Sequence, residues 1–475
     1  MAEVQLHQSL LSFDQVPELF ETSITPDAIL LKFGKNWKLR IAVLLCSLSW
    51  ALGATSLMTS AFFALDSQHT NTSMITIVDE FDLRNDKAYL ADWGTSAFMI
   101  GNMLGGSVLS HLSDRFGRKP VFICCTLLQF LTAMAASFAS DMWIFTFFRA
   151  CHGATYLGTS LIGWVLAYEH SSIDFRPYTT LFFGLSWVLG YCLVAPLAYF
   201  APTWRSLIML SVSPLLLYAV LGFLFVPETL HFLVSKNKMD RIDQFIRSID
   251  KTLNLHIELQ LLEKQHLKES SESDEVSFIS EVWHHKKFIV YCLVQLYLWT
   301  CDNFIYFGLS LYSTQLAGNV YLNYILMGVV ELPAYVFVPY SLDKFGRKMV
   351  VIASHLIAAN CFLLLLVLPE NHWFGLLCWF IGKFAISCSF MSLFVYASEV
   401  FPTNIRNISI GLCSVLSRIG GIMAPYVRLL ATYSTSLPTL VFFTMSLIAG
   451  LNPKIFSMIC CCLTSLYVFL LQNSK

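Results

Sequence analysis

Two short stretches decide the fold: Leu112-Ser-Asp-Arg-Phe-Gly-Arg-Lys119 and Ser341-Leu-Asp-Lys-Phe-Gly-Arg-Lys348. They are near copies, and Asp114 and Asp343 stand 229 residues apart. A second pair repeats at almost the same offset. Glu169 is followed after six residues by Arg176, and Glu399 after six residues by Arg406, with the two glutamates 230 residues apart. Two unrelated motifs sharing one offset imply two homologous halves in parallel orientation.

The surroundings of these motifs are apolar. Of the 475 residues 56% are hydrophobic and 13% charged, and 39 are Phe. A soluble domain carries about 25% charged residues, so this chain lacks the polar surface to cover a soluble fold of its size. The composition excludes a soluble enzyme, a nucleic-acid binder and a disordered scaffold. The net charge of -1 gives no electrostatic case for a polyanionic partner. The 14 Cys lie in apolar stretches without metal-ligand spacing, which reads as buried small side chains. No early apolar core marks a cleavable signal, so the first long apolar run is expected to act as an uncleaved anchor.

A membrane helix needs about 20 apolar residues. Candidate spans lie near 39–64, 92–112, 120–140, 143–168, 177–199 and 205–226, then near 288–312, 320–341, 348–369, 373–398 and 408–432. An irregular apolar region, 437–471, follows. The reading is an all-α polytopic protein with two six-helix halves around a central cavity. Its expected divisions are an N-terminal segment 1–38, a first half 39–226, a middle loop 227–287, a second half 288–451 and a divergent apolar segment 452–475. Basic residues Arg115, Arg118, Lys119, Arg176, Lys344, Arg347, Lys348 and Arg406 all fall in turns on one side, while loop 65–91 is acidic. The positive-inside rule therefore places the N-terminus and the middle loop in the cytoplasm. The sequon Asn71-Thr-Ser73 is then outward and a candidate glycosylation site. In the middle loop, Ile242, Phe245, Ile246, Ile249 and Leu253 recur at helical spacing. Ser270, Ser271 and Ser273 read as a solvated linker, with a phosphorylation switch as the sharper alternative.

The acidic members of the two turns exceed what topology requires. Asp114, Arg115, Arg118, Lys119, Glu169, Arg176, Asp343, Lys344, Arg347, Lys348, Glu399 and Arg406 are candidate gate residues. Their pairs would form in one conformation and break in another, biasing an equilibrium without locking it.

Further stretches carry a family resemblance. These are Phe81-Asp82-Leu83, Arg149-Ala-Cys-His-Gly153, Trp204-Arg205, Pro227-Glu228-Thr229-Leu230 and Tyr306-Phe-Gly-Leu-Ser310. Later in the chain come Tyr321-Leu-Asn323, Glu331-Leu-Pro333, Gly382-Lys383, Glu399-Val-Phe-Pro-Thr-Asn-Ile-Arg-Asn407 and Ser417-Arg-Ile-Gly-Gly421 with Pro425. With the two turns, they resemble the major facilitator superfamily and, within it, the organic ion transporters: organic cation, organic anion and carnitine transporters. The resemblance runs over about residues 75–450. Three features depart from it. The loop after the first span is short and lacks Cys. Ser110 stands where the superfamily turn opens with Gly. The family's terminal Pro-Glu-Thr is replaced by Asn452-Pro-Lys454 and a new apolar run.

Ionisable residues at membrane depth are functional candidates. Arg149 and Glu331 read as structural ties between helices. Asp302 is a candidate contact or a local partner of Asn303, and Arg428 a residue reaching for the outer interface. The resemblance implies that the position of Arg418 is Asp in cation transporters and Arg in anion and carnitine transporters. Arg418 and Lys383 are therefore candidate substrate cations, with Trp299, Tyr306 and Phe307 as cavity walls. The expected function is alternating-access transport of small organic ions, anions or zwitterions preferred, in the plasma membrane, with no cofactor or metal. A facilitator for neutral solutes such as sugars, and a non-transporting membrane binding protein, remain open. The chain lacks a P-loop and a nucleophile elbow, which disfavours a pump or a hydrolase.

Overall fold

The computed structural model describes residues 25–34, 36–66, 74–249, 286–367, 372–401 and 403–451. Asn71, the Ser270–Ser273 stretch and the C-terminal segment 452–475 lie outside the described residues. The first six long helices are α1 (Trp37–Phe63), α2 (Ala88–Phe116), α3 (Arg118–Ser137), α4 (Met142–His170), α5 (Arg176–Phe200) and α6 (Trp204–Phe225). The second set is α7 (Lys286–Tyr312), α8 (Val320–Phe345), α9 (Arg347–Val367), α10 (His372–Val400), α11 (Ile408–Tyr433) and α12 (Leu437–Leu451). Eight of the described helices are long and apolar enough to cross a membrane. Of the other long ones, α2, α4 and α7 carry Asp92, Arg149 and Asp302 within their length. The architecture is the expected two-half, all-helical one.

Small residues set how closely the helices pack. A Cβ on Gly153 of α4 would stand 1.9 Å from the Phe98 carbonyl oxygen of α2, so only glycine admits this backbone approach. Both copies of the repeated motif turn at a left-handed glycine, Gly117 at φ 116° and Gly346 at φ 80°, conformations that L side chains avoid. These turns mark one end of the bundle, the turn end. The other, the far end, holds the start of α2 and the end of α5.

Two helices are interrupted at depth. α8 breaks between Val329 and Glu331, and α11 breaks after Leu416 into a short Arg418–Met423 helix and a 3-10 turn. Gly420, Gly421 and Pro425 account for the second break. At the turn end, helix Met239–Ile249 buries Ile242, Phe245, Ile246 and Ile249 against Ile29, Leu30, Leu230 and Leu233. That is the face the helical spacing predicts, as far as Ile249.

Candidate functional site

At the turn end, charged side chains pair within each half. Arg118 meets Asp114 at 2.6 Å and Glu169 at 3.2 Å. Glu228 Oε1 accepts from the backbone N–H groups of Arg118 (3.1 Å), Lys119 (3.2 Å) and Thr229 (3.1 Å). Burial pushes the Glu228 carboxyl above its ordinary range, against those donors and the Arg118 charge. A Cβ at residue 117 would stand 2.5 Å from Glu228 Oε2, so Gly117 serves both the turn and the approach of this carboxylate. In the second half Arg347 meets Glu399 at 2.8 Å, and a Cβ at Gly346 would touch nothing within 4 Å. The counterpart of Glu228 would fall near residue 457, outside the described residues.

In this conformation none of these pairs bridges the halves. Glu169 holds Arg118, not Arg176, and Arg176 holds Asp27 at 2.5 Å on the helix Pro26–Lys32. Glu399 holds Arg347, while Arg406 Nε donates to the Phe401 carbonyl at 3.2 Å. None of these contacts crosses from one half to the other. Arg115 stacks on Phe116, Lys119 on Phe223 and Lys344 on Tyr340. Asp343 is exposed and Lys348 half-buried.

The halves meet at the far end. Arg428 of α11 reaches Asp92 of α2 at 2.6 Å and also donates to the Ala64 carbonyl at 3.4 Å. Arg428 is buried, so the expectation that it reaches for the interface is wrong: a carboxylate of the other half neutralises it in place. One turn inward, Ser96 Oγ donates to the Ile422 carbonyl at 2.8 Å. On the other flank Tyr324 of α8 stacks on Tyr191 of α5 with ring centres 4.5 Å apart, and Phe62 of α1 packs on Tyr321 and Tyr324. Nearer the middle, Trp187 Nε1 donates to Tyr306 Oη at 2.7 Å. Sequence reading missed Asp92, Trp187 and the tyrosine cluster. An acid at the fifth position of a long apolar helix was the available signal for Asp92.

The candidate residues of the second half divide into three groups. Lys383 is fully buried; its Nζ lies 3.1 Å from Glu331, donates to Ser310 Oγ at 2.8 Å and sits 3.2 Å from the Tyr306 ring centre. Tyr306 Oη in turn donates to Glu331 Oε2 at 3.0 Å. Lys383 is thus not the free cation expected, because Glu331 neutralises it within its own half. Asp302 does not bond to Asn303. It accepts from Ser389 Oγ at 2.8 Å and faces His355 Nε2 at 3.5 Å, while Asn303 bonds to Trp299 and Ser417. Trp299 packs on Phe394 inside the second half, and Phe307 lies against Tyr306 and near Gly421.

Arg418 stands apart. It is half-buried, sits at the α11 break, and interacts electrostatically with the Tyr156 hydroxyl of α4 across the halves. The other deep cations are occupied: Lys383 and Arg428 by carboxylates, and Arg149 by the Phe63 and Phe98 rings and the Ser56 carbonyl. Arg149 of α4 thus contacts α1 through Ser56 and Phe63.

Two helical halves that meet at the far end and near the middle, with Arg418 between them and no carboxylate against it among the described residues, have the form of a membrane carrier. The Major Facilitator Superfamily model matches residues 41–425. A putative transporter of Caenorhabditis elegans is 40% identical over 414 residues, 87% of this chain and 84% of its own. An organic cation transporter-like protein of Drosophila melanogaster is 30% identical (79% and 68% covered), and organic anion transporter 3 of Oryctolagus cuniculus 29% identical (81% and 72%). The fold matches the inward open conformation of the xylose transporter from E. coli with a TM-score of 0.68 at 18% identity, over 88% of this chain and 96% of that one. The chain belongs to the major facilitator superfamily and, within it, to the organic ion transporter family.

Proposed function

We propose that the chain carries small organic ions across the plasma membrane by alternating access, with anions and zwitterions preferred over cations. The observation that carries the preference is Arg418: a half-buried guanidinium between the halves, without a carboxylate partner among the described residues. A guanidinium stays charged at depth and grips a carboxylate or sulfonate through two parallel hydrogen bonds. Tyr306, Phe307 and Trp187 supply flat apolar surface on the adjoining helices. The basic turns support a cytoplasmic turn end. On that orientation the far-end contacts close the outside, and the conformation is the inward-facing one. Relatives named for cations and for anions fit the shared carrier reading and leave its charge preference to Arg418.

The test is uptake of labelled hippurate, a carboxylate, in cells expressing the protein, with carnitine and tetraethylammonium as competitors. Wild type should favour hippurate and carnitine. Arg418→Asp should lose hippurate at least tenfold, since two unit charges 4 Å apart at an effective dielectric of 20 interact by about 4 kcal/mol. Unchanged selectivity in a variant present at the surface would remove Arg418 from the substrate path.

A further inference from the structure

Three carboxylates are buried within the long helices among the described residues: Asp92, Glu331 and Asp302. Two of them pair with a strongly basic side chain, Asp92 with Arg428 at 2.6 Å and Glu331 with Lys383 at 3.1 Å. Asp302 holds none. Its neighbours are Ser389 of α10, donating to Oδ2 at 2.8 Å, and His355 of α9, whose Nε2 lies 3.5 Å from Oδ1 and 3.0 Å from Ser389 Oγ. All three side chains are sealed from solvent. An isolated charge at such a place costs several kcal/mol even after relaxation, and a buried acid with no cation keeps itself neutral by holding a proton. With Ser389 Oγ donating to Asp302, the serine oxygen can accept from His355 Nε2 in the neutral Nε2–H tautomer, and because burial disfavours an ion pair here the exchangeable proton rests on the aspartate.

We propose that Asp302, with Ser389 and His355, is a proton-binding site and that a proton is the ion coupled to transport. This rests on the carrier reading above. Aspartate and histidine groups inside membrane helices form proton relays in transporters. The step balances as the loss of H⁺ from the Asp302 carboxyl to water, leaving the carboxylate, and its return on the other side of the cycle. The helix that carries the site also carries the contacts that must change. Asn303 of α7 bonds to Ser417 beside Arg418, and Tyr306, one turn on, bonds to Trp187 of the other half. Movement of α7 that breaks the Trp187 bond therefore also moves Asp302 against α9 and α10. Among the described residues the surrounding groups do not supply a competing charge. Cys301 and Cys388 are the adjacent thiols on α7 and α10. Lys383 on α10 is engaged by Glu331, Arg418 on α11 faces Tyr156, and α12 carries no ionisable side chain.

The full-length protein reconstituted in lipid vesicles allows two readouts. Infrared spectra should show the carbonyl stretch of a protonated carboxyl, shifted in heavy water and missing in Asp302→Asn. Ser389→Ala, which keeps the acid but removes its hydrogen bond, should move the same band. Spectra that coincide for wild type and both variants would overturn the site. In transport, a vesicle interior loaded with hippurate, carnitine or tetraethylammonium tests exchange, and an inwardly directed proton gradient tests accumulation. Wild type should accumulate the exchanged probe severalfold when the outside is acid. Asp302→Asn should abolish the response to the gradient, read as the ratio of uptake with and without it. Robust exchange by wild type with no response to the gradient would overturn the coupling. Failure of all three probes to exchange would instead sink the carrier reading, and the infrared band decides the proton site independently of it.

Discussion

The two ends of the bundle use the same kinds of residue for opposite purposes. At the turn end Arg118, Glu169, Arg347 and Glu399 are tied inside their own halves. At the far end Arg428 and Asp92 tie one half to the other. The difference in burial accompanies the difference in connection. Asp114 and Glu399 side chains are 60% and 50% exposed, whereas Asp92 and Arg428 are 7% and 5% exposed. Water screens the Asp114 and Arg347–Glu399 contacts, which weakens them, while the Arg118–Glu169 contact, at 17% and 15% exposure, is more sheltered. The far-end pair is dry, and losing one partner strands a charge. In this conformation the far end is held between the halves by a dry pair, and the turn-end pairs are not part of that connection.

The comparison breaks most easily at Asp92. Asp92→Asn and Arg428→Met should each destabilise the solubilised protein by about 3–5 kcal/mol, read as a lowered melting temperature, because each leaves its partner buried and alone. The double variant should recover most of that loss. Singles that melt like wild type would show that the far end is not held by this pair. The next largest effect tests whether a dry pair within one half behaves alike. Lys383→Met should cost nearly as much, and Lys383→Met with Glu331→Gln should restore the melting temperature. If the double melts no higher than the single, the network through Tyr306 outweighs the pair.

Smaller effects sharpen the contrast. Trp187→Phe removes one hydrogen bond between the halves and should cost about 0.5–1.5 kcal/mol. Its expected sign in transport is a faster opening of the far end, measured as increased labelling of a cysteine introduced at Ser96 by a membrane-impermeant reagent added outside. At the turn end, Asp114→Asn and Arg118→Ala should each change stability by about 0–1 kcal/mol. Initial uptake should nevertheless fall further than surface abundance measured by biotinylation. Wild-type uptake by both would reduce the repeated turn to an orientation signal.

Glu228 illustrates how far sequence reading reaches. The repeated turn is legible because glycine and flanking charges recur at one offset, and Gly117 and Gly346 do take up the left-handed backbone. Nothing in that pattern says that a glutamate 110 residues on caps the helix after the first turn, with Gly117 leaving room for it. Asp302 is the reverse case. Its adjacency to Asn303 suggests a local bond, yet the two side chains leave α7 in different directions, one toward α9 and α10 and the other toward α11.

The sequence by itself determined the membrane class, the succession of apolar helices, the two parallel halves and the family. These follow from hydropathy, from the period of the repeat and from local motifs, all of which are properties of contiguous residues. Only the tertiary structure decided which charges neutralise one another. Arg428 and Asp92 are 336 residues apart, and Lys383 meets Glu331 through the packing of α8 on α10. Inside a lipid-covered bundle a charge takes the partner that helix crossing brings within about 3 Å, because the alternative of an unpaired ion in a low dielectric costs several kcal/mol. Helix crossing depends on side-chain contacts from the whole bundle, and so the pairing that holds the far end is written in no single stretch of chain.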